Sequence, residues 1–242
     1  MREQVVDAVR LVFPRRGNPH GPLPPLLLAL TVVTGVVDAF SYLALGHVLV
    51  ANMTGNVVFS GFALAGASGF IWWALLLAVA AFLAGAWTGG HLRRLLGAHR
   101  GRHLFGATVL ELGFLTAAWV TCLVVRPPYQ VWPLAGLIVL LGMGMGVQNA
   151  TARALSVPDL TTTVLTLTLT GIAADATSGH GSRLGRRLVP VLAMFLGALA
   201  GAALVIRGHE AAALGVATIL LAGIAVPGSV AMRSTGSWTA QA

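Results

Sequence analysis

The residues of this chain that could do chemistry are two polar clusters and two isolated acids, all set within long apolar runs. The first cluster is Asn52-Met53-Thr54-Gly55-Asn56, and the second comprises Gln148-Asn149 and, further on, Thr161-Thr162-Thr163 with Thr166. Asp38 stands well inside the first long apolar run, and Glu111 about two turns inside a later one. An ionisable group at membrane depth is costly, so a functional role is its default reading. Amides and hydroxyls beside a glycine are expected where a chain turns at membrane depth and starts a helix, with side-chain acceptors capping the first free N–H groups. Such a helix N-terminus carries roughly half a positive charge and suits a polar or anionic solute. The chemistry implied is solute binding along a path lined by Asp38, Asn52, Thr54, Gly55, Asn56, Gln148, Asn149, Thr162, Thr163 and Thr166. Asp38 and Glu111 are candidates for a proton relay. A structural reading stands beside it, with Asp38 accepting hydrogen bonds from the 52–56 loop and Glu111 snorkelling or bonding a neighbouring helix.

Other constellations are weaker. His99 and His103 have the i, i+4 spacing of a zinc pair, but Gly101 and the adjacent arginines read as a solvated loop, so no metal and no cofactor is expected. Ser60-Gly61 resembles a nucleophile site, yet no histidine falls in an obviously complementary crossing, and no enzyme is expected. Gly85, Gly89, Gly90, Gly142, Gly144 and Gly146 follow no strand and are read as helix-packing points rather than a nucleotide loop.

The elements that must position these residues follow from composition. The 242 residues are 57% hydrophobic and only 9% charged, with a mean hydropathy of +0.85, whereas a soluble domain carries roughly a quarter charged residues. Too little polar surface remains to face water all round. The formal charge of +8 comes from arginines clustered between apolar runs, not from a basic face, so nucleic acid is excluded as a partner and the charge is read as topological. Cys122, the single cysteine, lies in an apolar run and is read as inert.

Six windows are long enough to span a core that takes about 20 apolar residues: 26–47, 69–90, 104–125, 131–152, 188–206 and 211–230. Windows 54–67 and 161–176 are shorter and open with the polar clusters. If both are re-entrant half-helices, all of the 15 arginines except Arg126 and Arg207 fall on the cytoplasmic side, as the positive-inside rule requires. Both termini are then cytoplasmic. Val5, Val6, Val9, Val12 and Phe13 recur at helical spacing, which predicts a short surface helix at the N-terminus. The first long run begins near Pro25 without a cleavage site after it, so that helix is expected to be retained.

The halves also resemble each other. Gly35-Val36-Val37-Asp38-Ala39 parallels Gly146-Val147-Gln148-Asn149-Ala150, with Asp38 and Asn149 111 positions apart and Thr54 and Thr166 112 apart. Three full crossings per half is an odd number, so the second half must be inverted relative to the first, the plan of many transporters. The expected fold is an all-α polytopic membrane protein: a cytoplasmic amphipathic segment at 1–24, repeats at 25–126 and 127–232, and a flexible tail at 233–242.

The stretch from Gly35 to Asn56, with Asp38, Tyr42 and the Asn-Met-Thr-Gly-Asn run, and then Gln148-Asn149-Ala150, Arg153 and the threonine cluster, resembles the YoaK-like family of bacterial membrane proteins. The resemblance covers nearly the whole chain after residue 25. It implies a bacterial inner-membrane protein of repeated architecture and, because that family is a domain of unknown function, supplies no substrate. Leu167 stands where a glycine would follow Thr166, so the two half-sites differ in how closely a ligand could approach the backbone. The function expected from the residues is a small-solute transporter or facilitator with a midplane polar site. A passive channel and a non-transporting structural or signalling protein are the alternatives. The expected partners are the lipid bilayer and a small polar or anionic solute, with homo-oligomerisation left open.

Overall fold

The computed structural model describes residues 8–9, 11–14, 17–158, 160, 170–171 and 184–240. Among the described residues, the α-helices traced end to end are seven, α1 (Leu23–Ala44), α2 (Met53–Leu64), α3 (Trp72–Leu96), α4 (Arg100–Val124), α5 (Val131–Leu155), α6 (Leu184–Ile206) and α7 (Glu210–Ala231), followed by a 3-10 turn at Ser237–Thr239. All except α2 are long and apolar enough to cross a membrane, and the chain is a multi-pass membrane protein. The six long windows predicted from sequence correspond to these six helices. Of the short window at 161–176, only Thr170 and Gly171 are described, and both are helical.

Local sequence sets the ends. Two prolines open α1, where the missing N–H groups cost nothing. Gly46 and His47, at φ +78° and +62°, turn the chain back after α1. α2 has 12 residues, about 18 Å of helix at 1.5 Å per residue, too short for a hydrocarbon core of roughly 30 Å. α3 runs past its predicted end through Arg93 and Arg94, cations that suit a helix C-terminus. α4 starts earlier than predicted, with the His99 ring accepting from the Arg102 N–H at 3.1 Å.

That early start corrects the reading of 99–103 as a solvated loop. Gly101 and His103 are buried in the first turn of α4. Gly101 is no helix breaker: a Cβ there would lie 2.7 Å from the carbonyl carbon of Ala231 on α7. The residue is small because two backbones meet.

Between lipid-soluble helices there is no hydrophobic drive to associate, and small residues that allow close backbone approach take its place. α3 packs most extensively on α5, and α1 on α6. At the first seam a Cβ on Gly146 would lie 2.7 Å from the Ala86 nitrogen, and at the second a Cβ on Gly35 would lie 2.7 Å from the Ala198 nitrogen. Gly85 faces the Met143 backbone as Gly197 faces that of Val32, and Gly89 faces Val147 as Gly201 faces Val36. Each member of one seam recurs 111 or 112 positions away in the other. Gly142 closes against Ala81, whereas Gly90 meets nothing and takes no part. α1 is the most enclosed of the six spans. Trp72, Leu83, Trp87, Val124, Trp132, Ile206 and Val226 are exposed, forming an apolar outer surface that lipid covers.

The described part of the tail, 233–240, is tied down at the arginine-bearing end. Trp238 lies over Gly21, the Arg100 guanidinium donates to the Trp238 carbonyl at 3.4 Å and also to the Leu155 carbonyl, and His99 Nε2 donates to the Ser234 carbonyl at 2.9 Å.

Candidate functional site

α1 is built so that one buried face carries Thr31, Thr34 and Asp38 at successive turns. The two threonines return their hydroxyls to their own helix, to Leu27 and Leu30 carbonyls at 2.9 and 3.0 Å. Asp38 has no such partner on α1 and takes donors from the loop beyond it. Its Oδ1 accepts from the Val50 N–H at 3.1 Å and the Ala51 N–H at 2.9 Å, and its Oδ2 accepts from the Asn52 side-chain amide. One carboxylate therefore holds three consecutive residues at the start of α2. Charge-assisted bonds of this kind are each worth about 1.5–3 kcal/mol.

Asn56 completes the arrangement. It is fully buried, accepts from the Leu49 N–H at 2.9 Å and donates to the Leu49 carbonyl at 2.5 Å, as a paired strand would. Leu45, Val48, Val50 and Ala51 are buried around it, so the irregular backbone between α1 and α2 is enclosed by protein, the condition for its existence at membrane depth. Tyr42, His47, Phe59, Phe62 and Phe70 form a continuous ring cluster over this loop.

The expectation that Asn52, Thr54 and Asn56 would cap α2 is corrected here. Asn52 occupies the N-cap position but makes no side-chain cap bond. Its amide is committed to Asp38, alongside the Val50 and Ala51 N–H groups, and that of Asn56 to the Leu49 carbonyl. Thr54 is exposed, and Gly55 sits against the Leu49 side chain. Ser60 donates to the Asn56 carbonyl at 2.7 Å, bound into its own helix.

In the second half, Gln148 is buried and donates to the Thr34 hydroxyl at 2.6 Å, one turn from Asp38 on the same face of α1. Asn149 donates to the Met145 carbonyl at 2.9 Å. Thr162, Thr163 and Thr166 lie outside the described residues. Glu111 is buried on α4 against Gly144 of α5, apart from the Asp38 loop. Asp38, Asn52 and Asn56 are thus brought together, Gln148 bonds Thr34 one turn away on α1, and Glu111 stands separately. No group of three His, Cys, Asp or Glu side chains placed for a metal occurs among the described residues.

Thr34, Thr151 and His103 are buried polar residues that sequence reading passed over as site residues. For Thr34 the available signal is its position four residues before Asp38; Thr151 carries none, and the i, i+4 spacing of His103 with His99 points to a metal pair rather than to burial, which depends on which helices face each other.

A family model described as a protein of unknown function, DUF1275, matches residues 26–226. The UPF0700 transmembrane protein YoaK of Bacillus subtilis (strain 168) is 31% identical over 151 residues, covering 62% of this chain and 65% of that relative, so the match spans somewhat less than two thirds of its length. No solved structure matches. The matched range contains Asp38, the Asn52–Asn56 cluster, Glu111 and both glycine seams, and the chain belongs to the DUF1275 family of membrane proteins.

Proposed function

We propose that this protein is a small-solute transporter or facilitator of the bacterial inner membrane, built as two inverted repeats with a polar site between them. The observation that carries the proposal is the twin glycine seam. Gly35 and Gly146, Gly85 and Gly197, and Gly89 and Gly201 make equivalent backbone approaches at offsets of 111 or 112 residues, so the α1–α6 and α3–α5 packings are related by exchange of the halves. Three long helices per half then require opposite insertion, and carriers built this way place their substrate where the halves meet.

α2 is re-entrant in this reading. His47 Nδ1 donates to the Gly69 carbonyl at 2.9 Å, which joins the chain before α2 to the chain after it. Meanwhile the first residue before α2, Asn52, is held at the depth of Asp38. Asp38 fixes the inner end of the half-helix, and Gln148 approaches from the other repeat. The lining of amides and hydroxyls suits a small polar or anionic solute. Both termini lie on the cytoplasmic side with the arginine clusters.

The test is a thermal-shift screen of the purified protein across metabolite classes, followed by flux of any stabilising solute into proteoliposomes. Ligand that binds the native state raises its apparent stability. A hit whose flux saturates supports a carrier, non-saturating flux supports a channel, and stabilisation by no class together with no flux leaves the Asp38 loop a purely structural knot.

A further inference from the structure

α4 and α5 are antiparallel, and two contacts fix their register. The Arg100 guanidinium donates to the Leu155 carbonyl at one end, and a Cβ on Gly144 would lie 3.7 Å from Glu111 Cγ at the other. Between these pins the facing stripe of α5 continues at helical spacing through Gln148 and Thr151, level with Thr108 and with His103–Leu104 of α4. All of these side chains are buried, Glu111, His103, Gln148 and Thr151 each at 1% exposure.

Of seven buried side-chain polar atoms that meet no hydrogen-bond partner among the described residues, six fall on this seam. They are Glu111 Oε1, Gln148 Oε1, Thr151 Oγ1, both ring nitrogens of His103 and Arg100 Nε. His103 lies beside the backbone of Gly89 on α3 without hydrogen-bond geometry, and Gly89 in turn abuts Val147 and Ala150, next to Thr151. Buried polar groups are almost always bonded to protein or to water, and water occupies interior sites where two or more polar partners converge. An intramembrane acid in such a row marks an ion or proton route.

We propose that the α4–α5 seam is a water-filled proton path leading from His103, past Thr151 and Gln148, to the carboxyl of Glu111. His103 is adjacent to exposed Arg102 at the arginine-bearing end, and it lies eight residues from Glu111, about 12 Å along the helix, a distance a short chain of waters spans. A proton taken up on one ring nitrogen of His103 is released from the other to water. It passes by O–H exchange through water and the Thr151 hydroxyl and enters the Glu111 carboxylate, and each donor is reprotonated from the side it received from. The Gln148 carbonyl oxygen accepts only, orienting the chain without carrying the proton.

Other charge near Glu111 is sparse. On α5 the ionisable residue is Arg153, on α7 Glu210 at the first position, on α3 His91, Arg93 and Arg94 near the C-terminus, and on α4 itself Arg100, Arg102 and His103 toward one end and Cys122 toward the other. Protons at Glu111 are therefore supplied along the seam. The path goes beyond the solute site and stands or falls separately from it, because its test involves no solute.

In a Cys122→Ala background, thiols introduced by Thr151→Cys and Gln148→Cys are expected to react with a small charged methanethiosulfonate from the arginine-bearing side, roughly tenfold or more faster than a Leu137→Cys control. Leu137 is fully buried on α5, beyond Gly144. Infrared spectra of the unmodified protein, recorded across pH in H2O and D2O, are expected to show a carboxyl band that Asp38→Asn leaves and Glu111→Gln removes, and that shifts on exchange to D2O. If Glu111→Gln fails to fold, Glu111→Asp moves the band instead. Thiols no faster than the control, or a Glu111 band indifferent to D2O, overturn the proposal.

Discussion

The Asn52 side-chain amide donates to the Asp38 carboxylate, tying the N-cap position of the short helix α2 to the buried face of α1. Because Val50 and Ala51 donate to the other oxygen, Asp38 needs both oxygens as acceptors, and a neutral amide there turns one of them into a donor.

Asp38→Asn is therefore expected to cost about 2 kcal/mol, the range for losing a charge-assisted bond and leaving two donors opposed. Exchanging the pair, Asp38→Asn with Asn52→Asp, restores a donor facing an acceptor and should recover most of that loss. Thermal unfolding of the two single variants and the double variant gives the coupling energy. Simple additivity would show that the contact carries no stability.

Gly35→Ala and Gly146→Ala each place a Cβ against helix backbone that cannot rotate away. Each is expected to destabilise by roughly 1–3 kcal/mol, the range for overpacking. Gly90→Ala and Gly113→Ala enter open space and should stay within about 0.5 kcal/mol of the parent protein. Melting temperatures in one detergent compare all four directly; equal effects at Gly35 and Gly90 would count against the seam.

The docked tail should loosen in acid. Burial, then the nearby Arg100 and Arg186, hold His20 below its ordinary pKa of 6.5, so the docked form prefers the neutral ring. A depressed pKa contributes stability that is present above 6.5 and lost as pH falls below it. His20 Nδ1 accepts from the Arg100 guanidinium at 3.4 Å, and protonation removes that acceptor. Amide exchange of residues 234–240 is expected to accelerate below 6.5 and to lose this pH dependence in His20→Gln.

Cysteines placed singly at Gly46 and Gly69, with Cys122→Ala, should be labelled from one face of the membrane, and those at Gly97 and Ser156 from the other. The first pair flanks α2. Labelling of Gly46 and Gly69 from opposite faces would require α2 to cross fully.

Composition and periodicity alone determined that the chain is a multi-pass membrane protein and which six segments are long and apolar enough to span a membrane, because a helix that crosses hydrocarbon must be long and apolar and the residue types report that directly. The first polar cluster, the acids within apolar runs and the packing glycines of one seam, Gly85, Gly89, Gly142 and Gly146, were also legible, since each is costly or unusual in lipid; Gly197 and Gly201 of the other seam were not. Tertiary structure alone decided what those residues touch. Asn52 resembled a helix cap in sequence and became a partner of Asp38, and Gly101 resembled a loop residue and became a contact with Ala231. His103 resembled half of a zinc pair and became part of a buried seam with Gln148 and Thr151. A hydrogen bond or a close approach joins groups that are far apart in the chain, and its partner is set by which helices lie side by side. That is decided by backbone fit across the glycine seams, a property of two surfaces together that no single stretch of sequence displays.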